Sequence, residues 1–237
     1  MGTFHSVFAR ILRSEAEKLG YPSNFTIYDT EDSRSAIRTI VKSMQLDDKI
    51  YKASQVHGRI SICKNNLIGP EEYANDGELL ASDTANFRPK LGEIYRAYAE
   101  RLFRAGAMDF DDLLYNTNLL FRKEPKVMLK YQGRFQYILV DEYQDTNLVQ
   151  YNIVKTLAAR HENITVVGDD SQSIYSFRGA NIQNILNFRK DYKDHKVFKL
   201  EQNYRSTGTI VGAANSVIDH NKEQSKEATW TQNEVGE

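Results

Sequence analysis

The chain has 237 residues, of which 41% are hydrophobic and 27% are charged, and its formal net charge is -1. This near-neutral charge excludes a globally basic nucleic-acid binder, so a contact with nucleic acid would need a local basic patch or stacking aromatic rings. The single cysteine, Cys63, excludes an internal disulfide, and no apolar run approaches the roughly 18 residues of a membrane span. We therefore expect a cytoplasmic protein with no membrane association and with one large core or two modest ones.

The first part of the chain is predicted to be helical. The apolar stripe of the first helix ends at Gly20, which is placed as a C-terminal cap. Ser33 is the candidate cap of a second helix, and Asp109 is the candidate cap of a later one. Between these helices, residues 47–87 are polar and are predicted to be mostly irregular, with one short helix around 56–62.

Beyond about residue 135, short apolar runs alternate with helical patterns, which is typical of an α/β fold. The three predicted strands cover residues 137–140, 164–167 and 197–200, and the helical patterns between them cover residues 148–159 and 182–188. Such an order predicts a mostly parallel sheet with helices on both faces. Ligands of these sheets gather at the carboxyl ends of the strands, and each run here ends in polar residues.

An acidic pair, Asp141 and Glu142, follows the first apolar run directly. A carboxylate in this place suits Mg²⁺, which prefers oxygen ligands and keeps several waters. The neighbouring glutamate would then orient and deprotonate an attacking water in nucleotide hydrolysis. The alternative is a solvated acidic turn at the end of a strand.

A polar and aromatic segment follows the second run. The neutral amide of Gln172 is placed to contact a terminal phosphate. Tyr175 and Phe177 would share one side of an extended segment, and with Arg178 nearby they would form a stacking platform for unpaired bases. The alternative is that both aromatic rings pack in the core.

A third polar string, at 202–206, follows the last run and precedes a helix with Thr207 as its candidate cap. Arg205 in this place would serve as an arginine finger on a γ-phosphate, and Tyr204 would stack on an adenine ring. The alternative is a surface arginine at a helix start, where the helix dipole slightly disfavours a cation.

The opening of the first helix carries Thr3 and His5. A hydroxyl, an imidazole and free backbone N–H groups at a helix N-terminus suit a phosphate group. A simple helix cap explains the same residues equally well.

Taken together, these strings resemble the UvrD/PcrA/Rep family of superfamily 1 DNA helicases. In chain order, the strings are Thr3-Phe4-His5-Ser6, Met108 to Leu114, Asp141 to Thr146, Gln172 to Tyr175 with Arg178-Gly179, and Gln202 to Ser206. The resemblance implies two RecA-like motor domains with ATP between them and a large all-helical subdomain inserted in the first. On that template, residues 1–134 are the helical insertion with a flanking motor segment, 135–200 the C-terminal part of the first motor domain, and 201–237 the start of the second.

The resemblance also implies a role for each candidate residue. Asp141 would bind Mg²⁺, Glu142 would be the catalytic base, Gln172 would sense the γ-phosphate, Arg205 would be the finger, and Tyr204 would stack on adenine. Tyr175 and Phe177 would stack on DNA bases, Arg178 beside them would bind DNA, and Thr3 and His5 would contact the DNA backbone. The family usually has tryptophan at the position of Phe177, so stacking there is expected to be weaker.

The implied activity is ATP-driven 3′-to-5′ movement on single-stranded DNA and unwinding of partially duplex DNA, in repair or replication. The sequence contains no G-x-x-x-x-G-K-[ST] loop to hold the β- and γ-phosphates. We therefore expect an internal fragment that alone neither hydrolyses ATP nor unwinds DNA, and that self-associates through exposed truncated surfaces. Two alternatives stay open: a non-catalytic nucleic-acid-binding or interaction module, and the motor part of a helicase–nuclease.

Overall fold

The computed structural model describes residues 1–169, 172, 183–219 and 229–236. Its helices in chain order are α1 (Phe4–Glu15), α2 (Thr30–Ser43), α3 (Ala53–Asn65), α4 (Pro70–Asn75), α5 (Gly77–Ala85), α6 (Leu91–Arg104), α7 (Phe110–Lys123), α8 (Pro125–Arg134), α9 (Leu148–Ala158), α10 (Gln183–Asp191) and α11 (Gly208–Ile218). The strands are β1 (Thr26–Tyr28), β2 (Ala107–Asp109), β3 (Ile138–Val140) and β4 (Ile164–Val166), and short 3₁₀ turns cover Ala16–Leu19 and Tyr143–Asp145.

The first hydrophobic core lies between α1, α7, α8 and α9, where side chains such as Leu12 and Ile153 are fully buried. The 3₁₀ turn that extends α1 ends at Gly20, whose φ of 83° is in the left-handed region that glycine adopts without strain. Asp109 begins α7 through a capping box, since its side chain accepts the N–H of Asp112 and the Asp112 side chain accepts the N–H of Asp109. Both predicted helix ends are therefore confirmed.

A second hydrophobic core is formed by α2 to α6. The prediction that residues 47–87 are mostly irregular was wrong, because α3, α4 and α5 lie there. Their apolar residues are too sparse to form a stripe in the sequence. Even so, Val56, Ile60 and Tyr73 are fully buried, and this burial stabilises helices whose pattern alone is weak.

The start of α2 differs from the prediction as well. Ser33 was the candidate cap, but it lies buried inside the helix. The true N-cap is Asp29, whose carboxylate accepts the N–H groups of Glu31 and Asp32 at 2.8 Å each. The Asp32 side chain accepts the N–H of Asp29 in return, so aspartate fills both positions of a capping box.

Two parallel strand pairs complete the architecture. β1 pairs with β2, with Ile27 opposite Met108, and this three-residue pairing was not foreseen in the sequence because each strand is too short for a periodic pattern. β3 pairs with β4, with Val140 opposite Val166, as the alternation of strands and helices predicted. The described chain is thus α/β with short parallel sheets and mostly helices.

The third predicted strand, at 197–200, is not formed, so that prediction was wrong. Phe198 and Leu200 are 83% and 85% exposed. A β-strand needs a neighbour to pair its backbone groups, and no strand among the described residues runs beside this segment. Within the same described part, no helix combines the length and the apolar character that crossing a membrane requires.

The segment from residue 201 onward is held by its own contacts. Gln202 and Trp230 form an isolated parallel bridge, and the N–H of Asn203 donates to the Trp230 carbonyl at 2.7 Å. The predicted helix after Thr207 is confirmed as α11, with Thr207 at the N-cap position but without a side-chain capping bond.

Candidate functional site

The carboxyl ends of β3 and β4 meet at one edge of their sheet. Backbone pairing continues past Val140, since the N–H of Val167 donates to the Val140 carbonyl and the N–H of Tyr143 donates to the Val167 carbonyl, both at 2.9 Å. The residues that directly follow the two strands therefore lie side by side. Asp141 and Glu142 follow β3, and residues 167–169 follow β4.

The backbone turns sharply at the acidic pair. Glu142 has φ 50° and ψ 45°, a left-handed conformation that costs a residue with a side chain about 1–2 kcal/mol. The turn is stabilised because the N–H of Glu142 donates to Oδ1 of Asp141 at 3.0 Å and the N–H of Asp145 donates to the Glu142 carbonyl at 3.0 Å. Both acidic side chains are exposed, so they are accessible to a ligand at the strand ends.

Gln144 connects the two strand ends. Its side chain is buried, and its Nε2 donates to Oε2 of Glu142 at 2.8 Å. Its Oε1 accepts the backbone N–H of Asp169 at 3.1 Å. Oδ2 of Asp169 in turn accepts a 2.7 Å hydrogen bond from Nε2 of Gln172. A hydrogen-bonded series therefore joins Glu142 to Gln172, and the structure brings these two predicted site residues together.

Gly168 allows this close approach. A Cβ at Gly168 would lie 2.7 Å from Oε1 of Gln144 and 2.9 Å from Cδ1 of Ile185, closer than carbon atoms pack. The absence of a side chain at this position lets the Gln144 amide reach the backbone that follows β4.

Side chains of α10 fix the turn after Glu142. Nδ2 of the buried Asn184 donates to the carbonyl of Thr146 at 2.9 Å and to its Oγ1 at 3.2 Å. The rings of Tyr143 and Phe188 meet edge to face, with centroids 6.1 Å apart. In the same turn, burial and then the charge of Glu142 raise the pKa of Asp145 above its usual value.

Thr3 and His5 lie at the N-terminus of α1. Thr3 is the exposed N-cap, and its Oγ1 accepts the N–H of Ser6 at 3.3 Å. The ring of His5 meets the ring of Phe110 nearly at right angles, with centroids 5.9 Å apart. Burial lowers the pKa of His5, and the nearby charge of Asp111 opposes this effect only in part. The neutral imidazole is therefore favoured, which suits it to hydrogen bonding more than to ion pairing.

Tyr204 and Arg205 lie on the separate segment that begins at residue 201. Tyr204 is exposed, and its hydroxyl donates to Oε1 of Gln202 at 2.8 Å. The N–H of Arg205 donates to Oδ1 of Asn203 at 2.9 Å, which shapes the turn that leads into α11. Both side chains are available at the surface, as their predicted roles require.

The predicted stacking residues Tyr175, Phe177 and Arg178 lie outside the described residues.

The match to known families extends over nearly the whole chain. Residues 1–193 match the family described as UvrD/REP helicase N-terminal domain, and residues 198–237 match the UvrD-like helicase C-terminal domain. The chain belongs to the UvrD/REP helicase family. It is 46% identical, over all 237 residues, to proteins named ATP-dependent DNA helicase PcrA from Leuconostoc citreum, Staphylococcus epidermidis and Staphylococcus aureus. It spans 31% to 32% of the length of these relatives.

Within this member of the helicase family, the sequence alone did not reveal the connecting residues. Gln144 and Asp169 lie within the polar segments that follow the two strands, but a sequence segment does not show that one side chain spans two strand ends. Asn184 lies outside every string. Its only signal was its place in a helical pattern after the second predicted strand.

Proposed function

We propose that this chain is part of an ATP-dependent DNA helicase that moves 3′-to-5′ on single-stranded DNA and unwinds partially duplex DNA. The observation that carries the proposal is the hydrogen-bonded series from Glu142 to Gln172 at the carboxyl ends of two parallel strands. These hydrogen bonds support the proposal because they bring Glu142, the proposed base, and Gln172, the proposed phosphate sensor, to one edge of the sheet in a chain of the UvrD/REP family.

The residues after β3 suit a magnesium nucleotide. Asp141 offers an exposed carboxylate at the strand end, and such hard oxygen ligands are the kind that Mg²⁺ prefers. Bound there with ATP, Mg²⁺ would neutralise charge on the phosphates that hydrolysis releases. Glu142, held by Gln144, would orient a water and accept its proton. Gln172, held by Asp169, would direct its amide toward the terminal phosphate.

The remaining candidate residues complete the proposal. Arg205 would act as a finger on the phosphates, and Tyr204 would stack on the adenine. Thr3 and His5, at the N-terminus of α1, would contact the DNA backbone, and Tyr175, Phe177 and Arg178 would contact the bases.

The domain assignment follows the same template. Residues 1–134 would be the helical insertion with its flanking motor segment, 135–200 the end of a RecA-like motor domain, and 201–237 the start of the second. The separate core of α2 to α6 supports a helical insertion, and the parallel pairing of β3 with β4 supports an α/β motor segment after residue 135. The 237 residues contain no phosphate-binding loop, so we propose that another part of the protein supplies it and that this chain alone is inactive.

The test is Glu142→Gln in the complete protein, with ATP turnover measured in the presence of single-stranded DNA. Loss of a general base lowers turnover about 10²- to 10⁴-fold, while DNA binding should persist. Glu162→Gln is the matched control, because Glu162 is also exposed and also has a positive φ, 52°, but it precedes β4. Turnover near the wild-type value in Glu142→Gln would refute the assignment of the base.

A further inference from the structure

The C-terminal end of α3 is fixed to the N-terminal end of α7 by a buried charge cluster. Nζ of Lys64 lies 2.7 Å from Oδ2 of Asp109 and 2.7 Å from Oδ1 of Asp112. The hydroxyl of Tyr98 donates to the same Asp109 oxygen at 2.9 Å. All four side chains are buried, so α3 and α7 cannot separate here without leaving charges unpaired.

The next residue, Asn65, uses both ends of its side-chain amide to join three helices. Its Nδ2 donates to Oδ1 of Asp111 in α7 at 2.9 Å. Its Oδ1 accepts a hydrogen bond from Nδ2 of Asn147, the N-cap of α9, at 2.6 Å. Nδ2 of Asn65 also donates to the Ser61 carbonyl of its own helix at 2.9 Å. Asp111 and Asn147 are 46 and 82 residues away in sequence, so Asn65 is a long-range bridge in addition to this local contact.

One end of this bridge leads to the proposed DNA-contacting residues. Asp111 follows Phe110, whose half-exposed ring packs on the ring of His5. The charge of Asp111 also acts on His5 directly. A DNA backbone bound at the start of α1 would therefore press on the first turn of α7, which is the turn that Asn65 holds.

The other end leads to the proposed catalytic turn. Asn147 caps α9 through a capping box with Gln150 and directly follows Thr146, the last residue of the string that starts at Asp141. Asn184 fixes the carbonyl and hydroxyl of Thr146. A shift of Asn147 would therefore be passed into the turn that carries Glu142, since that turn is anchored at the same point.

We propose that Asn65 is a positioning residue that couples DNA bound at the start of α1 to the turn that holds Glu142. This inference rests on the proposed function, because it assigns a path between the proposed DNA contact and the proposed base. The path runs by side-chain contacts from His5 to Phe110, from Asp111 to Asn65 and from Asn65 to Asn147. The backbone links Phe110 to Asp111, and it links Asn147 to the turn that holds Glu142.

The test measures ATP turnover of the complete protein with and without single-stranded DNA. The expected result for Asn65→Ala is a ratio of DNA-stimulated to DNA-free turnover that falls about 2- to 30-fold, the range that coupling residues of other proteins reach. The DNA concentration for half-maximal stimulation should stay at the wild-type value. Asn66→Ala is the matched control, because the neighbouring Asn66 is exposed and its amide donates to the Ile62 carbonyl of its own helix.

A second variant separates the bridge from the helix cap. Asn147→Ser keeps a good N-cap for α9 but has no amide to reach Asn65. It should lower the stimulation ratio, and the double variant should be no worse than Asn65→Ala, because Asn65→Ala already removes the hydrogen bond that Asn147→Ser breaks. Additive losses in the double variant would overturn the proposal.

The remaining outcomes distinguish failure of the coupling role from failure of the proposed function. If wild-type turnover responds to DNA and Asn65→Ala responds equally, the coupling role is refuted while the proposed function stands. If Asn65→Ala lowers turnover by the same factor with and without DNA, Asn65 only supports the fold of the site and the coupling role is again refuted. A wild-type complete protein with no DNA-stimulated turnover would refute the proposed function, and the coupling role with it.

Discussion

Gln144 holds Glu142 through a 2.8 Å hydrogen bond from Nε2 to Oε2. The same amide is fixed at its other end, where Oε1 accepts the N–H of Asp169. An amide whose donor and acceptor are both used has one orientation, so the Glu142 carboxylate is positioned before any ligand binds.

On the proposed function, Gln144→Leu should lower ATP turnover of the complete protein about 10- to 100-fold, because misplacing the proposed base costs up to about 10²-fold in rate. The change keeps the size and burial of the side chain but removes both hydrogen bonds. Steady-state turnover checks it, and Gln136→Leu is the control, since Gln136 is exposed and precedes β3. An unchanged rate would mean that Glu142 does not need Gln144.

Gly168→Ala should destabilise the chain by about 1–3 kcal/mol, the usual cost of forcing extra carbon into a packed site. The new methyl group would meet Gln144 and Ile185 at contact distances that neither can accept without moving. Chemical denaturation measures the loss. Gly58→Ala should have the opposite effect, because Gly58 lies within α3 with open space around it. This substitution should raise the free energy of unfolding by about 0.5–1 kcal/mol. Equal effects of the two substitutions would contradict the close approach at Gly168.

Lys64→Met should destabilise the chain by about 3–5 kcal/mol, because it leaves buried carboxylates without their cation. Burial, and then repulsion by Asp109, already raise the pKa of Asp112 to about 7. The free energy of unfolding from chemical denaturation tests this, with the exposed Lys126→Met as control. A loss below about 1 kcal/mol, the value typical of a surface pair, would show that the cluster is not buried in solution.

Leu139→Lys should reduce self-association of the isolated chain. Leu139 lies in the middle of β3, yet its side chain is 78% exposed, and the neighbouring Tyr137 is 74% exposed. Exposed apolar strands pair with other copies, and an added lysine opposes such pairing. Light scattering over a concentration series provides the measurement. Phe87→Lys is the control, because it removes an equally exposed side chain from the helical part of the chain. A wild-type chain that stays monomeric throughout would contradict the expectation.

The sequence predicted those elements whose pattern is local. Asp109 and Gly20 mark helix ends through their own backbone and side-chain chemistry, and the runs before Asp141 and Gly168 are strands whose partners lie within about 30 residues. The edge that carries Glu142 and Gln172 follows from parallel pairing, so this part of the candidate site was also predictable.

The features that the sequence did not reveal depend on contacts between residues that are far apart in the chain. Asn65 is an ordinary polar residue at a helix end until Asn147, which is 82 positions later, is known to touch it. The run at 197–200 has strand composition, but composition does not show whether a neighbouring strand is present. Helices α3 to α5 are stabilised by burial against other helices. Their few apolar positions do not form a pattern from which this burial could be predicted.

The pairing of β1 with β2 has a consequence for how this family can vary. Thr26 lies opposite Ala107 in the parallel pair. The strand that leads into α2 and the strand that follows α6 are therefore neighbours, about 4.8 Å apart. The helices between them have a core of their own. The contacts that join this unit to the rest of the chain include the two three-residue strands, the ion pairs of Lys64 with Asp109 and Asp112, and the amide of Asn65. A change of length in the helices away from these contacts would leave the spacing between α1 and β3 unchanged, so those helices are the part most open to evolutionary remodelling.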